Sequence, residues 1–156
     1  DELARAAREG TMRRNFQGYT TDAAAALLGL GASAIGSFGQ GHAQNATRVD
    51  AWGAAIAGGR LPTARGVRID AADRRRARII ERLMCQFEAD VADDLAEDPG
   101  LAGILDGLAP LEAAGLAIRR GARVTIPEAA RPFARVVAAR FDAYLPAEAT
   151  RHAAAV

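Results

Sequence analysis

The nine residues Arg13 to Thr21, RRNFQGYTT, bring together two guanidinium groups, two aromatic rings, two carboxamides, a glycine and two threonine hydroxyls. These are groups that bind. Guanidinium pairs with carboxylate in a two-pronged fork, a carboxamide both donates and accepts, and glycine lets a backbone approach a ligand closely. The run follows neither a 3.6- nor a 2.0-residue period, so it predicts an irregular but ordered segment.

Other candidates are weaker. Gly29 to Ala34 reads GLGASA, which satisfies the dinucleotide fingerprint G-x-G-x-x-A, and Asp50 lies about 20 residues further on. That motif needs a long helix directly after the glycines, whereas Gly36, Gly39 and Gly41 follow here and would each cost a helix up to about 1 kcal/mol. The glycines are read instead as places where the backbone passes close to a neighbouring element or a ligand. Arg74, Arg75, Arg76, Arg78 and Arg82 form a basic cluster beside a winged-helix-like pattern, which invites a DNA-binding reading. Asp70, Asp73, Glu81 and Glu88 accompany them, and a solvated helix face is the other reading. His42 and His152 stand too far apart, without nearby Cys or acidic partners, to form a metal set. Cys85 follows Met84 on the apolar side of a predicted helix and reads as a small core residue. No Ser-His-Asp, Cys-His or paired-carboxylate arrangement stands out. The residues alone therefore show no catalytic group and no metal site.

The elements that must position these groups fit a chain of 156 residues, half of them apolar and a quarter charged. That is globular composition and the size of a single domain. Twenty basic residues, all arginine, against nineteen acidic ones leave a net charge of +1, which gives no general argument for a nucleic acid or an anionic membrane as partner. A single cysteine forms no intramolecular disulfide. No signal peptide or apolar run of about 20 residues is apparent, and a cytoplasmic location is expected. The chain starts with Asp in what already reads as a helix, so a piece of a longer polypeptide is expected.

Glu2 to Arg8 predicts a helix stopped at Gly10. One helical turn is expected over Ala23 to Leu28 and a short buried strand over Leu30 to Ile35. Val49 to Ala57 predicts a helix ended by Gly58-Gly59, and an extended connector starts at Leu61-Pro62. A boundary is placed between Arg60 and Val67. Beyond it, Asp70 and Asp73 stand as N-cap and N3 of a helix whose Ile80, Leu83, Met84 and Phe87 share a face. Leu101, Ile104, Leu105, Leu108 and Leu111 have helical spacing, split by Gly107 and Pro110 and closed by Gly115. Leu116 and Ile118, then Val124 and Ile126, alternate around Arg120-Gly121 as in a small hairpin. A last helix is expected from about Arg131 to Leu145, with Phe133, Val137, Phe141 and Tyr144 along one face, and the Ala-rich tail from Ala147 is expected to fray.

RNFQGYTT (Arg14 to Thr21), LLGLGASAI (Leu27 to Ile35), AQN (Ala43 to Asn45), RLMCQF (Arg82 to Phe87) and FDAYL (Phe141 to Leu145), in that order, closely resemble the C-terminal third of the oxygen-independent coproporphyrinogen III oxidases. These are radical-SAM enzymes of haem biosynthesis. DELARAAREG resembles the segment leading into the heptapeptide. A related group of radical-SAM haem chaperones keeps a similar glycine-rich stretch without the heptapeptide, so the resemblance is to the oxidases.

The resemblance implies oxidative decarboxylation of two propionates of coproporphyrinogen III to vinyl groups, giving protoporphyrinogen IX. It implies S-adenosyl-L-methionine (SAM), two molecules of it, and a four-iron four-sulfur cluster held by a C-x3-C-x2-C motif. It carries onto this chain a SAM wall of Phe16, Gln17 and Ile35. Phe16 and Ile35 suit apolar walls, Gln17 an amide contact, and Gly18, Gly29 and Gly31 close backbone approach. Arg13 and Arg14 are candidates to pair with substrate propionates, or lie at the surface; Gly18, Tyr19, Thr20 and Thr21 either shape the loop or touch ligand.

Departures from the family matter. With one cysteine the chain has no cluster motif, so no catalytic or metal residue is assigned to it, and the cluster-bearing barrel is expected upstream as its partner. DAAAA (Asp22 to Ala26) and Ile126 to Ala130 look divergent. The implied fold is mixed and predominantly α: residues 1–60 as the end of a radical-SAM partial α/β barrel, and 61–156 as a helical, winged-helix-like domain with a small β-hairpin. The piece alone is expected to be inactive, with no nucleic acid or membrane partner. The alternatives are a winged-helix DNA-binding regulator and an interaction domain.

Overall fold

Asp1 accepts from the Leu3 backbone N–H at 3.0 Å and so caps helix α1 (Glu2–Glu9), which Gly10 closes in the left-handed conformation at φ 68°. The computed structural model describes residues 1–145. After α1 come strands β1 (Arg13–Asn15) and β2 (Gly18–Thr20), paired antiparallel with Arg13 opposite Thr20, Arg14 opposite Tyr19 and Asn15 opposite Gly18. The stretch expected to be irregular is thus a hairpin. Asn15 explains it: its Oδ1 accepts from the Gln17 N–H at 2.8 Å and the Gly18 N–H at 3.2 Å, folding a two-residue turn at Phe16-Gln17.

Two further expectations give way nearby. Ala23 to Leu28 forms no helix: Asp22 accepts from the Ala24 N–H, and the chain stays irregular until Leu27 makes a lone bridge to Ser37. Asp22 competes for the backbone hydrogen bonds that a helix would need. Leu30 to Ile35 is no buried strand, since Leu30 is 89 % exposed and extended pairing begins only at Ile35. From there the chain builds an antiparallel sheet in the order β3 (Ile35–Phe38), β4 (Gly41–Asn45), β5 (Thr63–Arg68). Glycine permits its close approaches: a Cβ at Gly29 would stand 2.8 Å from the Ile35 carbonyl carbon. Helix α2 (Val49–Ala57) joins β4 to β5 and ends at Gly58-Gly59 as expected. The connector expected from Leu61 becomes β5 and hydrogen-bonds to β4.

Helix α3 (Ala71–Cys85) starts with the expected box: Asp70 accepts from the Asp73 N–H at 2.9 Å, and Asp73 accepts from the Asp70 N–H at 3.0 Å. Leu83 and Met84 are buried as the spacing requires, while Ile79 is more deeply buried than the expected Ile80. Strand β6 (Glu88–Asp90) follows, then α4 (Gly100–Asp106) and α5 (Ala109–Ala113), split as the Gly and Pro positions predict. Strands β7 (Ile118–Arg120) and β8 (Arg123–Thr125) make the expected hairpin. Sequence spacing missed β6, which pairs with β8 to give a three-stranded sheet in the order β6-β8-β7.

The single terminal helix also breaks up. A 3-10 segment over Glu128–Phe133 precedes a short α6 (Ala134–Ala138), and another 3-10 turn covers Ala139–Phe141. Pro132 has no N–H for an α ladder, and the 3-10 pitch rotates the faces, so Val137 and Phe141 are buried while Phe133 and Tyr144 are exposed. The core of this half joins Leu83, Val91, Leu101, Leu108, Val124, Val137 and Phe141, all fully buried. The fold is therefore mixed helix and strand. No helix among the described residues is long and apolar enough to cross a membrane. The tail from Ala147, and His152, lie outside the described residues.

Candidate functional site

The β1–β2 hairpin stands on α3. Glu81 Oε2 accepts from Arg13 Nη1 at 3.2 Å, Glu81 Oε1 accepts from the Arg14 backbone N–H at 3.0 Å, and the Tyr19 hydroxyl donates to the Met84 carbonyl at 3.2 Å. The Arg14 guanidinium lies over the Tyr19 ring, 5.3 Å from its centroid, and its Nε is buried without a hydrogen-bond partner. Both arginines thus face other parts of this chain.

At the other end of the hairpin, the Phe16 ring meets the His42 ring edge to face, 5.2 Å between centroids at 87°. His42 pairs with Ser37, and Gln44, two residues along β4, pairs with Ile35. Side chains alternate along a strand, so His42, Gln44 and Ile35 share one face of the sheet, with Ile35 opposite Gln44 and His42 about 7 Å further along β4. Phe16 and Ile35, nineteen positions apart in the chain, therefore stand over the same face. Gln17 is exposed beside Phe16, and its side chain makes no hydrogen bond among the described residues. His42 Nδ1 is buried and without a partner on this face.

The glycine-rich loop is tied to this sheet. Asn45 Nδ2 donates to the carbonyls of Gly29 at 3.0 Å and Gly31 at 2.9 Å, and Gln44 Nε2 donates to the Ser33 carbonyl at 2.9 Å. Asn45, His42 and Glu81 received no binding role from sequence spacing. Their partners lie between 14 and 68 positions away, or across a register that only pairing defines; the AQN match was the sole pointer to Asn45.

The arginines of α3 are largely satisfied inside the chain. Arg75 pairs with Glu97 at 2.6 Å, Arg76 with Asp98 at 2.8 Å and Arg78 with Asp94 at 3.7 Å, while Arg74 donates to the Gly39 and Ile69 carbonyls. The Arg76 guanidinium holds the Asp98 carboxyl below its ordinary range. Cys85 is buried; burial, with Glu81 adding to it, pushes its thiol up to about 11, so it is protonated and unreactive at neutral pH. Among the described residues no three His, Cys, Asp or Glu side chains gather as a metal set.

No protein-family model matches the chain. Individual proteins do. The chain is 43 % identical over 160 residues to an oxygen-independent coproporphyrinogen III oxidase of Bradyrhizobium diazoefficiens, a match that covers all of this chain and 36 % of that one. Its counterpart in Paracoccus denitrificans is 45 % identical over 169 residues, covering all of this chain and 35 % of the relative. Over its whole length the chain is similar to oxygen-independent coproporphyrinogen III oxidases. It spans about a third of the length of these relatives. Among solved structures, the coproporphyrinogen III oxidase from Escherichia coli, described as a radical SAM enzyme, superposes at a TM-score of 0.84 with 33 % identity, covering 93 % of this chain and 35 % of that one. The fold around Phe16, Gln17 and Ile35 is thus similar to that of a coproporphyrinogen III oxidase.

Proposed function

We propose that the chain is the C-terminal part of an enzyme that oxidatively decarboxylates two propionates of coproporphyrinogen III to vinyl groups, giving protoporphyrinogen IX for haem synthesis in the cytoplasm. The observation that carries the reading is the placement of Phe16 and Ile35 over one face of β3–β4, with the free Gln17 amide beside them. That is the composition of a wall against a nucleoside with a charged tail: two apolar surfaces, one orienting amide, and carbonyls held in place by Asn45. In this role Phe16 and Ile35 pack against SAM and exclude water, and Gln17 orients it. When bound, SAM and a four-iron four-sulfur cluster supply radical abstraction of hydrogen from the propionate. Cluster ligands do not fit this chain, whose one cysteine, Cys85, is buried in the core. They belong to an upstream barrel, and the chain alone is inactive.

Arg13 is engaged by Glu81 and Arg14 by Tyr19, which favours loop shaping over propionate binding for both. Gly18 and Tyr19 act with them, Gly18 at the turn and Tyr19 through its hydroxyl. We divide the chain near Ile69 rather than Arg60, because β5 hydrogen-bonds to β4 and so stays with the first unit. Residues 1–69 then form the edge of the partial barrel, and the remainder a winged-helix-like unit in which β7–β8 is the wing. The pairing of Arg75, Arg76 and Arg78 with acids leaves a DNA-binding regulator without its main charge.

The reading is tested in the enzyme that joins this chain to its cluster-binding part. Phe16→Ala and Gln17→Ala are expected to weaken SAM binding, and unchanged affinity for both SAM molecules refutes the assignment. An upstream coding sequence without C-x3-C-x2-C would sink the activity itself.

A further inference from the structure

We propose that Glu81 is a positioning residue: from α3 it clamps the base of the β1–β2 hairpin and thereby fixes where Phe16 and Gln17 stand over the β3–β4 face. The inference rests on the reading of the hairpin tip as a SAM wall. In a hairpin with a two-residue turn, Asn15 and Gly18 form the hydrogen-bonded pair, so Arg14 and Tyr19 form the non-bonded pair and the Arg14 N–H points away from β2. That outward amide has no partner within its own sheet. Glu81 Oε1 takes it at 3.0 Å, while Oε2 holds Arg13 Nη1 at 3.2 Å, so a single carboxylate grips backbone and side chain of adjacent residues. Its side chain is only 25 % exposed, which limits competition from water.

A second anchor lies one turn along the same helix. Tyr19, across from Arg14, donates its hydroxyl to the Met84 carbonyl at 3.2 Å, and Gln86 Nε2 reaches the Gly10 carbonyl at 2.9 Å just ahead of β1. Both strands of the hairpin and the segment before it are thus tied to the last two turns of α3. Because α3 opens the second half of the chain, the clamp makes that half a support of the wall.

The test uses two preparations. In the 156-residue chain, hydrogen exchange at the Arg14 amide is expected to quicken about tenfold in Glu81→Ala, the loss of one hydrogen bond to a charged group, and by less in Glu81→Gln, which keeps an acceptor oxygen. The Leu83 amide reports on the fold of α3. If Glu81→Ala loses that protection, the comparison passes to Glu81→Gln, where about threefold faster exchange at Arg14 is expected; unchanged Arg14 exchange in a folded variant overturns the clamp. In the enzyme carrying the cluster-binding part, Glu81→Ala is expected to raise the Kd for SAM about five- to tenfold with partial rescue by Glu81→Gln, and Arg82→Ala, on the exposed side of α3, to leave it unchanged. Quickened exchange with an unchanged Kd overturns the positioning role. Phe16→Ala in the same assay then separates the two ideas: a raised Kd keeps the SAM wall without the clamp, and an unchanged one removes the wall.

Discussion

The side-chain amide of Asn45 donates to the Gly29 carbonyl at 3.0 Å, pinning the glycine-rich loop to the last residue of β4. The same nitrogen reaches the Gly31 carbonyl at 2.9 Å, and the Asn45 backbone N–H donates to the Ala34 carbonyl at 3.0 Å. One residue therefore gathers three loop carbonyls. Asn45→Ala removes the two side-chain bonds and is expected to cost about 1–2 kcal/mol in urea unfolding. Asn45→Asp is expected to cost more, because a carboxylate offers no donor and repels both carbonyls. Equal stability of Asn45→Asp and the parent chain would show that the loop holds without this tie.

Gly41 opens β4 so close to β5 that a Cβ would overlap the Val67 carbonyl oxygen. The obstacle is backbone, which cannot swing aside as a side chain does. Gly41→Ala is expected to destabilise the sheet by about 2 kcal/mol or more and to shift the thermal midpoint downward. Gly39, where a Cβ meets nothing within 4 Å, is the control: Gly39→Ala is expected to change stability little.

What could be read in advance depended on the range of the signals. Asp70 and Asp73 lie three positions apart, and their box appears as predicted, as do the split of α4 from α5 and the end of α2 at Gly58. Pairing between distant strands left no local mark: β5 has no buried residue and no alternation, and β6 is three residues long. The hairpin at Arg13 to Thr20 was hidden because its turn depends on Asn15 bonding, not on periodicity. In the candidate site, the motif match nominated Phe16, Gln17 and Ile35, but the hydrogen bonds made by Glu81 and Asn45 became visible only once α3 and β4 were folded against that motif.

Arg76 grips Asp98 through Nε at 2.8 Å and Nη2 at 3.2 Å, and Asp98 also accepts from the Gly100 N–H at 3.1 Å. Arg76, foremost by its hydrogen bond, lowers the Asp98 pKa in the folded state. The stability this provides is present above the unfolded carboxyl value of about 3.9 and is lost as pH falls through the lower folded value. Asp98→Asn is expected to lose about 2 kcal/mol at neutral pH. It should also flatten the decline in urea midpoint between neutral pH and pH values below about 4. A variant whose midpoint falls as steeply with acid as the parent's would place the acid sensitivity elsewhere.

Leu28 and Leu30 are 71 % and 89 % exposed in a segment that the proposed barrel would adjoin. Two leucines left in water, in a loop whose carbonyls Asn45 already ties to β4, gain about 25 cal/mol for each Å² they hide. The isolated chain is therefore expected to self-associate, seen as a sedimentation coefficient that rises with protein concentration. The double variant Leu28→Lys, Leu30→Lys adds two like charges at that surface and is expected to remain monomeric with an unchanged unfolding midpoint, since neither side chain belongs to the core. Joined to its cluster-binding part, the parent sequence is expected to lose the concentration dependence, because those leucines are then covered. Persistence of self-association in the joined protein would mean that the surface meets another copy instead.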